Sequence, residues 1–206
     1  MTERTERSQG HEGMPKIGTL RGSALRVLLA VIGAAGLLAG CGGGDPERRC
    51  EAGADGVVRC APDARAAAPD LAGELLDGRT YDPAAQRGRV VVVNFWGSWC
   101  APCRAEIDDL EDVYRATKDR GVTFLGVNVR DDRDKARAFL AGRVTYPSLF
   151  DPASRLALEF DLPPNATPAT IVLDRRGRIA RVIRSAVRKD SLEPVVAEVA
   201  AEPRDG

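Results

Sequence analysis

Thirteen residues, Val91 to Cys103, constrain this chain more than any other stretch. The apolar, β-branched run Val91-Val92-Val93-Asn94-Phe95-Trp96 reads as a buried strand. Gly97-Ser98-Trp99 then forms a short turn, and Cys100-Ala101-Pro102-Cys103 opens a helix. The placement matters because the thiolate is the nucleophile in disulfide exchange, and N–H groups at a helix N-terminus stabilise negative charge. Cys103 falls one turn deeper on the same side, within reach of a disulfide to Cys100. Pro102 lies in the first turn, where its missing N–H costs nothing.

Zinc sites use the same Cys-x-x-Cys spacing, so metal is the competing reading. Zinc needs two further ligands, and only Cys50 and Cys60 stand near enough in the chain to be considered. The single histidine, His11, precedes any expected mature start. A buried strand before the motif and an amphipathic helix after it favour redox chemistry, with no metal and no cofactor.

The first forty residues have the layout of an export signal. Lys16, Arg21 and Arg26 precede a thirteen-residue apolar run, Val27 to Ala39. That run falls short of the roughly 20 residues a membrane-spanning helix needs. It ends in Leu38-Ala39-Gly40-Cys41, which resembles a bacterial lipobox, with cleavage before Cys41 and lipid on its sulfur. Glu3, Glu6 and Glu12 are unusual in such a signal, so Met14 is the expected initiator rather than Met1. Five of the 30 basic and three of the 30 acidic residues lie in residues 1–40. The remainder therefore carries about −2, and nothing in it suggests nucleic-acid binding. No histidine remains beyond residue 40, which excludes His-dependent triads.

The chain divides on this reading into a signal (1–40), a flexible tether (41–69) and one α/β domain (70–206). The tether segment is rich in Gly, Ala, Pro, Asp and Arg and has no apolar periodicity. Within it, Cys50 and Cys60 are expected to close a structural disulfide that stiffens the tether; a second redox relay has no support beyond the two sulfurs. Leu71 to Tyr81, with Asp77-Gly78 as turn, reads as an N-terminal hairpin. Strands are expected at Val90–Phe95, Val122–Val129, Tyr146–Phe150, Ala169–Leu173 and Ile179–Ser185. Helices are expected from Cys100 to about Lys118, after Asp131/Asp132 through Leu140, around Ser154–Phe160, and at Leu192–Ala200. This order implies a central mixed sheet with helices on both faces.

Three further positions carry candidate chemistry. Thr167-Pro168 precedes a core strand, where proline's missing N–H is awkward; a cis bond there would aim the Thr167 backbone at the disulfide. Glu106 shares a helix face with the cysteines, and is either a solvated charge or a buried carboxyl exchanging protons with Cys103. Trp99 is expected to stand partly exposed beside Cys100, with Trp96 and Asn94 as packing and satisfied polar residues.

Phe95-Trp96-Gly97-Ser98-Trp99-Cys100-Ala101-Pro102-Cys103 resembles the active site of the thioredoxin superfamily, and more closely its membrane-tethered TlpA/ResA-like thiol–disulfide oxidoreductases. The resemblance covers about residues 71–200. It implies a thioredoxin fold, with Cys100 attacking and Cys103 resolving, Thr167-Pro168 as the cis-proline loop, and Trp99, Thr167 and Pro168 at the substrate. It also implies a functional carboxyl at Glu106 and an inserted segment at about 131–160. The approach from Leu162 to Pro168 is about two residues longer than the family's. Implied partners are exported cysteine-containing proteins, apocytochrome c among them, and a membrane thiol–disulfide carrier, at the extracytoplasmic face of a bacterial membrane. A tethered binding domain with a structural disulfide and a peroxide-reducing relative are the alternatives. The latter needs Thr and Pro ahead of its cysteine, where Gly97-Ser98-Trp99 stands.

Overall fold

The computed structural model describes residues 50–203. In chain order it contains β1 (Cys50–Ala52), β2 (Val57–Cys60), β3 (Gly73–Glu74), β4 (Thr80–Tyr81), β5 (Val90–Trp96), α1 (Ala101–Thr117), β6 (Val122–Val129), α2 (Arg133–Leu140), β7 (Ser148–Asp151), α3 (Arg155–Glu159), β8 (Ala169–Leu173), β9 (Ile179–Ile183) and α4 (Lys189–Ala200). Seven strands form one sheet in the order β1-β2-β9-β8-β5-β6-β7. The β5, β6 and β7 strands run parallel; β8, β9, β2 and β1 continue the sheet antiparallel. The sheet is therefore mixed, as the strand–helix–strand start and hairpin finish imply.

Both central strands, β5 and β6, are buried at every position. That is why they are nearly continuous apolar runs rather than alternating ones. On one face Val90 and Val92 pack with Ile107, Leu110 and Val113 of α1 and with Leu192, Val195, Val196 and Val199 of α4. On the other, Val91, Val93 and Phe95 meet Leu71, Leu75, Tyr81, Phe160 and Leu162. Full burial of each aliphatic side chain is worth about 1.5–3 kcal/mol, so two such clusters hold β5 from both sides. Helix α1 gives way to a single 3₁₀ turn, closed by Gly121 at φ 79°, a conformation that glycine adopts without penalty.

The hairpin expected over Leu71–Tyr81 is present as β3 and β4, paired Gly73 to Tyr81 and Glu74 to Thr80. Helix α4 begins three residues earlier than its apolar pattern, at Lys189, where Asp109 Oδ1 of α1 accepts from the Lys189 N–H.

The tether expectation is corrected from Cys50 onward. The β1–β2 hairpin, bridged by a Cys50–Cys60 disulfide, extends the sheet along β9, with Val58 opposite Val182. The following segment is anchored by Arg65, whose buried guanidinium meets Asp174 and Glu202. Composition hides this order because only Val57 and Cys60 of the two strands are buried, too few to set up a period. Residues 41–49, Cys41 and the expected signal lie outside the described residues, as do Met1 and Met14. Among the described residues no helix is long and apolar enough to cross a membrane.

Candidate active site

The C-terminal end of β5 and the start of α1 bring the two cysteines together. Gly97 O accepts from the Cys100 N–H at 3.1 Å, which closes the turn. Gly97 is required there, because a Cβ would collide with the Trp99 indole. Cys100 is the N-cap of α1, and its Sγ accepts from the Cys103 N–H at 3.2 Å. Cys100 and Cys103 are joined as a disulfide, with Cα atoms 5.3 Å apart. The same N–H that now touches the Cys100 sulfur is placed to stabilise its thiolate in the reduced state.

The peptide bond between Thr167 and Pro168 is cis, and the Thr167 carbonyl oxygen lies 3.8 Å from Cys100 Sγ. Trp99 stands half exposed beside the pair and donates from Nε1 to Val129 O at 3.1 Å. Trp96 is buried instead, with Nε1 donating to Ser148 Oγ at 3.0 Å. The Ser98 turn is braced from α2's side. Asp131 accepts from the Ser98 N–H, from Ser98 Oγ at 2.8 Å and from Asn128 Nδ2 at 2.9 Å. Burial pushes the Asp131 carboxyl up, but these hydrogen bonds outweigh it and hold the group below its ordinary range. The Asp131/Asp132 pair expected to cap a helix therefore divides its work: Asp132 caps α2, and Asp131 fixes the active-site turn. A carboxylate directly before a cap carries no sequence signal of that second role.

Glu106 faces inward and is 1% exposed. Its Oε1 accepts from Asn94 Nδ2 at 3.0 Å, and its Oε2 from the Val187 N–H at 2.8 Å. Asn94 also donates to Thr170 Oγ1 at 3.1 Å, while its own Oδ1 has no partner. Turning that amide over offers an acceptor to a protonated Glu106, so Asn94 can serve either protonation state. Burial pushes the Glu106 carboxyl up to about 7; the Val187 and Asn94 hydrogen bonds oppose this, and the nearby Asp109 charge adds to it. Thr167, Pro168, Trp99 and the cysteines thus meet at one end of β5. Glu106 sits one turn below on the cysteine face of α1.

The raised carboxyl has a consequence for stability. The folded protein binds a proton at Glu106 more tightly than the unfolded chain does, so this group's contribution to stability is fully present below about pH 4.5. That contribution is lost as pH rises towards 7, by about 3 kcal/mol in all. Glu106→Gln is expected to remove that decline, leaving the variant more stable than the parent at pH 8. Urea unfolding at pH 5 and pH 8 checks it, and equal slopes for the two proteins would refute it.

Residues 64–182 match the model of the AhpC/TSA family. The chain is 30% identical over 128 residues to the thiol-disulfide oxidoreductase ResA of Geobacillus thermodenitrificans, covering 61% of this chain and 72% of that one. It is 34% identical over 125 residues to the thiol:disulfide interchange protein HelX of Rhodobacter capsulatus, covering 58% and 68%. Among solved structures, a secreted thiol-disulfide isomerase from Corynebacterium glutamicum superposes with a TM-score of 0.67 at 34% identity, covering 71% of this chain and 92% of that one.

Proposed function

The chain belongs to the AhpC/TSA family, and from that premise we propose that its Cys100/Cys103 pair exchanges disulfides in exported proteins. The activity is that of a thiol–disulfide oxidoreductase on a thioredoxin fold, as in its relatives. The observation that carries the reading is the disulfide at the mouth of α1, set against the cis Thr167–Pro168 bond.

In the reductive direction Cys100 thiolate attacks one sulfur of a substrate disulfide. A Cys100–substrate bond forms, the substrate S–S bond breaks, and the second substrate sulfur leaves as a thiolate. Cys103 passes its proton to the Glu106 carboxylate and displaces the substrate from Cys100, which leaves the Cys100–Cys103 bond found here. A carboxyl titrating at about 7 is suited to taking and returning that proton near neutral pH. Thr167 offers main-chain hydrogen bonds to an extended substrate, and Trp99 offers an apolar wall. The two electrons are restored by a membrane thiol–disulfide carrier. Residues 1–40 act as the export signal and Cys41 carries the lipid, which places the domain at the outer face of a bacterial membrane. Apocytochrome c cysteines are the substrate class proposed first.

The reduction potential tests the reading. An exchanging pair has a potential above about −300 mV, whereas structural bridges lie below it. Equilibration with a graded dithiol buffer, followed by mass spectrometry of the Cys100/Cys103 peptide, is expected to give a value above that limit. A lower value would make this a binding domain with a structural bridge.

A further inference from the structure

We propose that Arg130 is a specificity-determining residue, which selects polypeptide substrates carrying an acidic residue within about three positions of the reacting cysteine. The inference rests on the disulfide-exchange function proposed for Cys100.

Arg130 follows the last residue of β6 and has φ 51°. That left-handed conformation suits glycine and disfavours residues with a Cβ; where it persists it often marks a working site. The side chain explains the position. Its guanidinium carbon lies 4.7 Å from the Trp99 ring centroid, and Nη2 donates to Thr167 Oγ1 at 3.2 Å. Arg130 thus spans the two walls between which a substrate reaches Cys100 Sγ, itself 3.8 Å from the Thr167 carbonyl. The guanidinium is therefore within about three residues of extended chain, at ~3.3 Å each, from the attacked sulfur.

Its charge is unanswered. Among the described residues Arg130 has no carboxylate partner, although Asp131 and Asp132 are its immediate neighbours in sequence. Asp131 is engaged by Ser98, Asn128 and the Asp132 N–H, and Asp132 by the Asp134 and Lys135 N–H groups. One of the five guanidinium donors is used, so the fork remains open to a planar, two-oxygen acceptor. Beside it runs a groove of about 770 Å³ whose lining includes Trp99 and Phe139, the cations Arg104, Arg130 and Lys135, and the carboxylates Asp131 and Asp132. Arg104 lies over Phe139, and neither Arg104 nor Lys135 makes an ion pair among the described residues. The apolar floor and the cationic excess, three cations against two carboxylates already held by other donors, match a peptide with a carboxylate near its cysteine.

The test uses the reduced full-length chain and two synthetic peptides, each closed by one disulfide. They differ only in Glu or Gln two residues from the attacked cysteine. The readout is the ratio of the two second-order rate constants. The Glu peptide is expected to react about fivefold faster at low salt, with the ratio near one in about 0.5 M salt. Arg130→Gln and Arg130→Gly are each expected to bring the low-salt ratio to about one. The glycine variant also relieves the backbone, so misfolding does not stand in for lost selectivity. A purely structural Arg130 would scale both rates together and leave the ratio unchanged. A parental ratio of one, or a ratio that survives both substitutions, would overturn the proposal. If neither peptide reacts with the parent, the exchange function itself fails and this inference falls with it.

Discussion

Replacing Cys103 by Ala is expected to stop the reaction halfway, with the protein accumulating as a mixed disulfide through Cys100. Replacing Cys100 by Ser is expected to yield no adduct and to lower insulin reduction at least about a thousandfold. The asymmetry follows from position rather than exposure, since both residues are almost fully covered in the oxidised state. Cys100 is the helix N-cap, accepts the Cys103 N–H, and touches the Thr167 carbonyl beside exposed Trp99. Cys103 lies a turn inside, on the face that carries Glu106. The first sulfur therefore meets the substrate and the second has only the first to attack. Non-reducing electrophoresis with peptide mass spectrometry reads both outcomes. An adduct on Cys103 in the Ser variant would reverse the assignment.

The motif and its strand–turn–helix setting were legible in the sequence because the determinants are local. A seven-residue run buried on both faces can only be a central strand, and Ile107, Leu110 and Val113 repeat with helical period. What the sequence could not show depends on distant partners. The face shared by Cys103 and Glu106 is readable from spacing. That it turns inward depends on the Val187 N–H, which arrives from the loop before α4. Likewise Arg130 gives no signal in its neighbours, because its role comes from Thr167 and Trp99. Residues 50–69 depart furthest from what composition predicts. Their strands hold three and four residues with little burial, so neither alternation nor hydrophobicity marks them. Order is supplied by the Cys50–Cys60 bond, the open edge of β9 and one arginine.

That arginine carries the second large effect. Arg65 donates from Nε to Cys60 O at 3.2 Å, from Nη1 to Asp174 Oδ2 at 3.2 Å, and from Nη1 and Nη2 to the two Glu202 oxygens at 2.6 Å. Its side chain is 1% exposed and that of Asp174 6%. Arg65→Ala leaves the Cys60 carbonyl without this partner and Asp174 with Arg178 as its remaining ion pair, a loss worth about 2–3 kcal/mol. Arg65→Lys is expected to recover only part, because one ammonium cannot reproduce four directed hydrogen bonds from a planar fork. Acid provides an independent check. Burial pushes the Asp174 carboxyl up, but the Arg178 and Arg176 N–H groups and the Arg65 guanidinium overcome it and hold the group below its ordinary range. A depressed carboxyl stabilises the fold above the unfolded value near 3.8 and loses that contribution as pH falls. Without Arg65 there is less to lose, so the gap between parent and variant should narrow as pH drops below about 4. Urea midpoints at unchanged slope measure the gap. A loss under about 1 kcal/mol at pH 7 would mean that the disulfide and the β2–β9 pairing hold residues 50–69 without the arginine.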